Sequence, residues 1–200
     1  MSHSSPLHLA SGSPRRRELL ESVGIPLVVR AAAVDEDAHA GERPDAYLQR
    51  IARAKLEAAL SVKPSDAAAT LVADTIVVCD GAMLGKPRDR DDAIDIVRRL
   101  SGRAHEVETR FLIATRENQE PRGASVTTRV FVRALSAAWI ERYADTKEGF
   151  DKAGSYAVQG IFAFAIERIE GSYTNVVGLP LCEVVRTFDE LGMIPRFLEP

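Results

Sequence analysis

The sequence predicts a mixed α/β fold, with helices flanking a central sheet and two lobes bordering a cleft. Over the first half of the chain, strand-like and helix-like segments alternate, which is typical of parallel strands joined by helices. Two longer alternating runs follow at residues 104–115 and 124–134 and indicate a β-hairpin, so the sheet should be of mixed direction. We expect residues 1–200 to form a single domain, because the chain is long enough for one sizeable core and contains no evident linker or repeat.

The N-terminal elements are predicted from capping and punctuating residues. Residues 7–10 form a short apolar run that predicts a strand. A helix should begin at Pro14, with Ser13 as its N-cap, and end at Gly24. Residues 26–33 are β-branched and apolar, so we expect a second strand there.

The middle of the chain carries the clearest periodicities. Apolar residues recur at helical spacing over residues 44–61 and predict an amphipathic helix. Residues 70–79 predict a strand, and the Asp-Gly turn after it predicts a hairpin with residues 83–84. A helix is expected over residues 89–100, with Asp89 as its cap.

The C-terminal part follows the same logic. Beyond the hairpin we expect a helix over residues 136–145, a strand over residues 161–169 and a final amphipathic helix over residues 180–191.

Composition and charge exclude several classes of function. The 26 basic and 29 acidic residues leave a net charge of −3, which provides no positive field for polymeric nucleic acid. The N-terminus lacks the pattern of a signal peptide and no apolar run is long enough to span a membrane, so we expect a cytoplasmic protein without a membrane partner. Cys79 and Cys182 each lie in an apolar run and are expected to be buried rather than paired or bound to zinc.

A loop of small residues at 11–14 opens a helix that carries Arg15, Arg16 and Arg17 in succession. Amides at a helix N-terminus attract anions, and guanidinium groups add forked donors, so the arrangement suits a polyphosphate. Without an anion, basic residues there oppose the helix dipole. A solvated, arginine-rich helix start is the alternative.

Asp74 interrupts an otherwise apolar strand. A buried carboxylate must be paired, hydrogen-bonded or bound to metal. The alternative is an aspartate at the strand end that caps a neighbouring amide. Together with the acidic segment 35–37, Asp74 could supply oxygen ligands to a cation such as Mg²⁺, although that segment also fits an acidic surface turn.

Two lysines are candidates for phosphate contacts. Lys55 falls on the apolar face of its predicted helix, where a lysine is out of place, although snorkelling to solvent explains it equally well. Lys86 lies in a Gly-Lys-Pro sequence just after the predicted hairpin.

Two glycine-containing segments, residues 151–160 and 170–180, could let backbone approach a flat ligand closely. Gln159 offers a donor and an acceptor suited to the edge of a base. A plain glycine-rich turn is the alternative.

Taken together, these segments resemble the Maf family of nucleoside triphosphate pyrophosphatases. The motifs that carry the resemblance are Leu-Ala-Ser-Gly-Ser-Pro-Arg-Arg (9–16), Val-Asp-Glu (34–36), Ala-Asp-Thr (73–75), Gly-Lys-Pro (85–87), Leu-Ser-Gly (100–102) and the stretch from Asp-Lys-Ala-Gly to Gly-Leu-Pro (151–180). The resemblance implies a Maf/ITPase-like fold with a nucleotide-binding cleft, a homodimer, and hydrolysis between the α and β phosphates with a divalent cation, Mg²⁺ or Mn²⁺.

The resemblance also implies roles for individual residues. Asp74 matches the catalytic carboxylate, as general base or as a metal contact, and Glu36 matches a metal ligand. The residues that match substrate-binding positions are Ser11, Ser13, Arg15, Arg16, Lys55, Thr75, Lys86, Lys152 and Gln159.

Base preference is implied by three of these positions. Arg15, Thr75 and Gln159 match the branch that acts on dTTP and UTP, whereas the branch for 7-methyl-GTP has Trp, Gln and Glu there. The sequence departs from the family pattern at residues 161–165 and 109–111. The alternatives are the same reaction on another base, such as 7-methyl-GTP, or a nucleotide-binding regulator of cell division or septum formation.

Overall fold

The computed structural model describes residues 5–115 and 120–193. Its strands are β1 (Leu7–Leu9), β2 (Leu27–Val29), β3 (Ala69–Cys79), β4 (Ala82–Leu84), β5 (Ala104–Thr115), β6 (Arg122–Val132) and β7 (Ile166–Glu170). Its α-helices are α1 (Pro14–Ser22), α2 (Pro44–Ser61), α3 (Arg90–Leu100), α4 (Ala137–Asp145), α5 (Tyr173–Val177) and α6 (Leu181–Glu190). The predicted absence of a signal peptide depends on the N-terminus, of which residues 1–4 lie outside the described residues, and residues 116–119 of the predicted connection between the two hairpin strands lie outside them too.

The described strands form a mixed sheet in the order β2-β1-β3-β5-β6-β7, and β4 pairs with β3. β1 is parallel to both β2 and β3, whereas β4 runs antiparallel to β3 and β7 antiparallel to β6. The parallel strands are joined through α1 and α2, as expected for βαβ connections. The predicted mixed α/β fold, with helices flanking a central sheet, is confirmed.

The chain forms two compact units. The first unit contains Met1–Asp74, Thr109–Ser125 and Gly178–Pro200, and the second contains Thr75–Glu108 and Val126–Val177. The chain passes from one unit to the other within β3, β5 and β6. That the whole chain is one domain stays a prediction.

In the first unit, alternate residues of β3 enter two separate apolar clusters. Leu71 and Ala73 belong to a cluster that includes residues of α1 and α6. Val72 belongs to the other cluster, with Ala52 and Leu56 of α2. Because side chains alternate between the faces of a strand, the residue two positions after Val72 must also face α2. That residue is Asp74, so the alternation of β3 positions the carboxylate.

In the second unit, aromatic side chains form the contacts around the loop at residues 151–160. The ring centroid of Phe162 lies 4.8 Å from that of Tyr143 and 5.0 Å from that of Tyr156. Buried His105 places its Nε2 2.7 Å from the hydroxyl oxygen of Tyr156. These contacts hold Tyr156 of the loop among buried side chains.

Several predicted elements are confirmed nearly to the residue. The helix predicted over residues 44–61 is α2. Asp89 caps α3, because its Oδ1 accepts a hydrogen bond from the Asp92 amide at 2.8 Å. The turn at residues 80–81 joins β3 to β4 as predicted.

Two strand predictions were too long. The strand expected at residues 26–33 is only Leu27–Val29, because it pairs only with the three residues of β1 and Val29 is already exposed. The strand expected at 161–169 begins as a 3₁₀ helix over Ile161–Ala165, and β7 starts at Ile166. The short helix α5 was not predicted.

The predicted start of α1 is confirmed, with Ser13 at the N-cap position and Pro14 as the first helical residue, although within the described residues the Ser13 side chain makes no capping hydrogen bond. One expectation about the cysteines was wrong. Cys79 is buried, but Cys182 is exposed, because the buried face of α6 is formed by Val184 and the residues one turn later. Within the described part of the chain, no helix has both the length and the apolar character needed to span a bilayer.

Candidate active site

The centre of the candidate site in the first unit is an ammonium group between two carboxylates. Lys55 Nζ lies 2.5 Å from Oδ1 of Asp74 and 2.8 Å from Oε1 of Glu36. The exposed fractions of the three side chains are 13% for Lys55, 9% for Asp74 and 46% for Glu36. The lysine and aspartate are therefore a mostly buried ion pair, while the glutamate faces solvent.

The secondary structure explains why Lys55 meets Asp74. Lys55 follows Ala52 by three residues and precedes Ala59 by four, so it shares their face of α2. Both alanines belong to the cluster that packs on Val72, and Asp74 follows Val72 on the same face of β3. Helical and strand periodicity together thus bring the two charges into contact.

These contacts decide two of the alternatives that the sequence left open. Asp74 lies in the middle of β3 rather than at its end, so it is not a terminal cap. The Lys55 ammonium contacts carboxylates instead of extending to bulk water, so snorkelling does not explain its position. A buried carboxylate without a counterion would be strongly unfavourable, and Lys55 provides the counterion.

The acidic segment 35–37 does not act as one cluster. Asp35 Oδ1 accepts a hydrogen bond from the Asp37 amide at 2.9 Å, which forms a local turn. The carbonyl of Glu36 accepts a hydrogen bond from the hydroxyl of Tyr47 at 3.0 Å, and that of Asp37 accepts one from Arg50 at 3.0 Å. Two residues of α2 thus hold the loop from which Glu36 reaches Lys55.

Tyr47 responds electrostatically to this site. Burial raises the pKa of its phenol above the ordinary range, and the negative charges of Asp74 and Glu36 raise it further. Tyr47 is therefore a neutral hydrogen-bond donor to the Glu36 carbonyl over the whole physiological pH range.

The guanidinium of Arg16 binds backbone near the end of the part of β3 that belongs to the first unit. Its Nη1 donates to the Ala73 carbonyl at 2.7 Å and to the Ser11 hydroxyl at 3.1 Å, and its Nε donates to the Gly178 carbonyl at 2.8 Å. Burial lowers the pKa of Arg16, and the charge of Asp74 opposes that shift. Arg16 thus holds the residue before Asp74 and the loop at 11–14 in one arrangement.

The other predicted residues of this loop lie close to Arg16 in the chain. The Ser11 hydroxyl also accepts a hydrogen bond from the Ser13 amide at 3.3 Å, so it links the loop to the start of α1. Arg15 and Ser13 are half-buried. Ser11, Ser13, Arg16, Lys55, Glu36 and Asp74 are all residues of the first unit.

The remaining candidates are residues of the second unit. Thr75 follows Asp74 directly and is half-buried, whereas Lys86 and Gln159 are exposed. The Gly154 amide donates to the Gly85 carbonyl at 3.1 Å, which joins the Gly-Lys-Pro segment to the loop at 151–160.

Lys152 is engaged within that loop. Its Nζ donates to the backbone carbonyl of Glu148 at 2.6 Å and lies 2.5 Å from Oδ1 of Asp151. The carboxylate of Glu148 accepts hydrogen bonds from the Ile161 and Phe162 amides directly after that loop, and the sequence did not single out this residue. A signal was available: an acidic residue directly before a glycine-rich loop can accept hydrogen bonds from amides that no regular element satisfies.

In the part of the chain that the structure describes, the candidate site has too few side chains for a metal centre built from protein ligands alone. Among residues 5–115 and 120–193, no group of three or more His, Cys, Asp and Glu side chains is arranged to hold a metal ion. Glu36 and Asp74 are nevertheless two carboxylates that converge on one cation, the Lys55 ammonium.

A family model described as Maf-like protein matches residues 6–191 of the chain. The protein belongs to the Maf family. The match includes the whole candidate site of the first unit and all the predicted residues of the second, so the resemblance expected from the sequence is confirmed.

Curated relatives resemble the chain over nearly its whole length. A protein of Geobacter sp. (strain M21) is 47% identical over 190 residues, which cover 95% of this chain and 97% of the relative. A protein of Geotalea uraniireducens is 46% identical over 194 residues (97% and 99%), and one of Myxococcus xanthus is 46% identical over 187 residues (94% and 93%). All three relatives are named dTTP/UTP pyrophosphatase.

Proposed function

We propose that this Maf protein hydrolyses dTTP, UTP and modified pyrimidine nucleoside triphosphates to the monophosphate and pyrophosphate, and so removes non-standard nucleotides. The observation that carries the proposal is the buried Lys55–Asp74 pair with Glu36 beside it. It is supported by membership of the family and by relatives of nearly equal length that are named for this activity.

In the proposed reaction, Asp74 is the general base. A water oxygen attacks the α phosphorus, the bond from that phosphorus to the bridging oxygen breaks, and pyrophosphate leaves with the bond electrons. The proton of the water passes to the Asp74 carboxylate. General bases of this kind contribute about 10²- to 10⁴-fold to rate.

Lys55 has two functions in this proposal. In the free protein its ammonium holds the Asp74 carboxylate in one orientation, with Nζ 2.5 Å from Oδ1. Phosphate oxygens of the substrate compete for the same ammonium, so a substrate that engages Lys55 leaves an oxygen of the Asp74 carboxylate available to the attacking water. The charge of Lys55 then helps to neutralise the pyrophosphate leaving group.

A divalent cation, Mg²⁺ or Mn²⁺, is part of the proposal. Glu36 and Asp74 would hold it, since their carboxylates are hard oxygen ligands that already converge on one cation. Mg²⁺ commonly uses only one or two protein carboxylates and takes its other ligands from water and substrate phosphates. When bound, the metal polarises phosphoryl oxygens and neutralises charge on the polyphosphate.

Basic residues around the loop at 11–14 are proposed to bind the polyphosphate. Arg15 and Arg16 lie at the N-terminus of α1, where the amides and the dipole favour an anion, and Ser11 and Ser13 add hydroxyl groups. Because Arg16 binds three protein oxygens, we assign it mainly to holding the site and Arg15 to the substrate. Lys86 is proposed as a further positively charged residue that binds the polyphosphate.

Base recognition is assigned to Arg15, Thr75 and Gln159, the set that matches the dTTP/UTP branch. Exposed Gln159 offers an amide that can pair with both the carbonyl and the N–H of a thymine or uracil edge. Lys152, which is engaged with the loop backbone, supports this loop. The competing assignment is a different base with the same chemistry, 7-methyl-GTP.

A cytoplasmic location and a homodimer complete the proposal. Nucleoside triphosphate pools that feed polymerases are cytoplasmic, and the two cysteines in the described residues are free thiols, as in a reducing compartment. Sedimentation equilibrium checks the dimer, and a single species at the monomer mass would reject it.

The deciding experiment is pyrophosphate release from dTTP, UTP, CTP, GTP and 7-methyl-GTP with Mg²⁺ or Mn²⁺, with EDTA as the control. Selective turnover of dTTP and UTP that EDTA abolishes is the expected result. Turnover confined to 7-methyl-GTP would retain the chemistry and reject the assignment of Arg15, Thr75 and Gln159. If no nucleotide of the panel released pyrophosphate, hydrolysis would be rejected and a nucleotide-binding regulator of cell division or septum formation would be favoured.

A further inference from the structure

The carboxylate of Glu148 binds the segment that follows Gln159. Its Oε1 accepts a hydrogen bond from the Ile161 amide at 2.6 Å, and its Oε2 accepts one from the Phe162 amide at 3.2 Å. Oε2 also accepts a hydrogen bond from the hydroxyl of Tyr143 in α4, at 2.9 Å. One side chain therefore satisfies two consecutive amides and is itself oriented by a helix.

The same carboxylate packs directly on Gly160. A Cβ atom at residue 160 would lie 2.1 Å from Oε1 of Glu148 and 2.5 Å from its Cδ, so the carboxylate would have to move away from its present position. Glycine at this position lets the carboxylate reach the backbone. The contacts of Glu148 thus cover the three residues immediately after Gln159.

The backbone of Glu148 acts on the other end of the loop. Its carbonyl accepts a hydrogen bond from Nζ of Lys152 at 2.6 Å. Lys152 and Gln159 are the two predicted substrate-binding residues of this loop. Glu148 consequently contacts the first of them and the residues that directly follow the second.

These bonds also explain why the strand prediction failed here. In a strand, the amides of Ile161 and Phe162 would have been available to a neighbouring strand. Instead they donate to a carboxylate, and the Ala163 amide closes a turn onto the Gly160 carbonyl at 3.1 Å. Hydrogen bonds to a charged acceptor are roughly twice as strong as neutral ones, so this geometry is well held.

We propose that Glu148 is a positioning residue for base recognition: it holds the backbone at 160–162 so that Gln159 presents its amide in one orientation. It does not touch the reacting atoms. The effect on catalysis rests on the proposed function, whereas the effect on the backbone does not.

The backbone effect is tested by amide hydrogen exchange in the full chain. Glu148→Gln keeps the shape of the side chain but replaces one acceptor oxygen with a donor group, so exchange at Ile161 and Phe162 should accelerate by about tenfold or more. The control is Glu141→Gln, which makes the same charge change at an exposed residue of α4 and should leave both amides unchanged. Unchanged exchange at both amides in Glu148→Gln would overturn the proposal.

The recognition effect is tested by steady-state kinetics of the same variants. In Glu148→Gln, KM for dTTP should rise about tenfold with kcat nearly unchanged, and the preference of kcat/KM for dTTP over CTP should fall by a similar factor. Tyr143→Phe, which removes only the orienting hydroxyl, should show the same change to a smaller extent.

A purely structural role predicts a different pattern. Loss of folded protein would lower the apparent kcat equally for every nucleotide and leave KM and the dTTP preference unchanged, and that result would overturn the proposal. If the wild-type protein itself released no pyrophosphate, the proposed function would fail, and amide exchange would then decide whether Glu148 holds the backbone.

Discussion

The ammonium of Lys55 lies 2.5 Å from the carboxylate of Asp74, and each side chain is about nine-tenths buried. Lys55 belongs to α2, and Asp74 lies on the face of β3 that packs against this helix. Neither charge is stable there without the other, so the pair links the stability of the first unit to the chemistry proposed for it.

Replacement of Asp74 by Asn should abolish turnover and preserve nucleotide binding. The amide keeps the size of the side chain but cannot accept the proton of the attacking water, so kcat should fall by about 10²- to 10⁴-fold. Pyrophosphate release and calorimetric titration with dTTP measure the two properties. Asp45→Asn, at an exposed position in the first turn of α2, is the matched control, and unchanged hydrolysis by Asp74→Asn would refute the assigned role.

Replacement of Lys55 by Met should destabilise the protein as well as inactivate it. Asp74 would remain buried without its counterion, which typically costs about 3–5 kcal/mol of unfolding free energy. Urea denaturation measures the loss. Arg17→Met, which removes the exposed pair with Glu21 on α1, should change the free energy far less. Equal effects in the two variants would mean that burial of the Lys55–Asp74 pair is unimportant.

The substitutions Arg16→Lys and Arg15→Lys should have different effects on stability and on kinetics. A lysine cannot reproduce the forked contacts of Arg16 to Ala73, Ser11 and Gly178, so Arg16→Lys should lower both the unfolding free energy and kcat. Arg15→Lys should mainly raise KM and weaken base preference at nearly wild-type stability. Thermal denaturation and kinetics of both variants check this. If Arg16→Lys kept the wild-type stability and kcat and changed only KM, Arg16 would be a substrate-binding residue instead.

The buried His105 should make the protein acid-sensitive. Burial lowers its pKa from 6.5 to about 4, so below pH 6.5 the unfolded chain binds a proton that the folded protein does not. The contribution of neutral His105 to the unfolding free energy is therefore fully present above the pKa of the unfolded chain. It is lost as the pH falls toward the pKa of His105 in the folded protein. The lost free energy approaches about 3 kcal/mol, since each pKa unit corresponds to about 1.4 kcal/mol.

Urea denaturation at about pH 7 and about pH 5 measures this loss. His105→Gln removes the titrating group and keeps a polar side chain opposite Tyr156, so its stability should change less between the two conditions. The assignment would be wrong if wild type and variant lost equal amounts of free energy.

Much of the candidate site was predictable because it depends on local patterns. The period of α2 placed Lys55 on a buried face, and the apolar run of β3 marked Asp74 as a buried charge that needs a partner. What the sequence could not predict was that each is the partner of the other. That required the position of α2 on the sheet, which is set by Val72, Ala52 and Leu56.

Other features depended on contacts between distant residues and were missed. Glu148 binds amides thirteen and fourteen positions later in the chain, so no pattern near residues 161–169 indicated that a strand would not start there. Cys182 lies in an apolar run, but only the orientation of α6 decides that it is exposed.

The sequence alone determined the mixed α/β class, the family, the helices at 44–61 and 89–100 and most of the site candidates. Side-chain periodicity, helix caps and short motifs depend only on residues that are close together in the chain. The tertiary structure decided which charges meet. It paired Lys55 with Asp74 and Glu36, turned Arg16 toward backbone carbonyls, and placed Glu148 against the loop of Gln159. The physical reason is that a buried charge or an unpaired amide needs a partner wherever the chain can bring one, and only packing selects that partner.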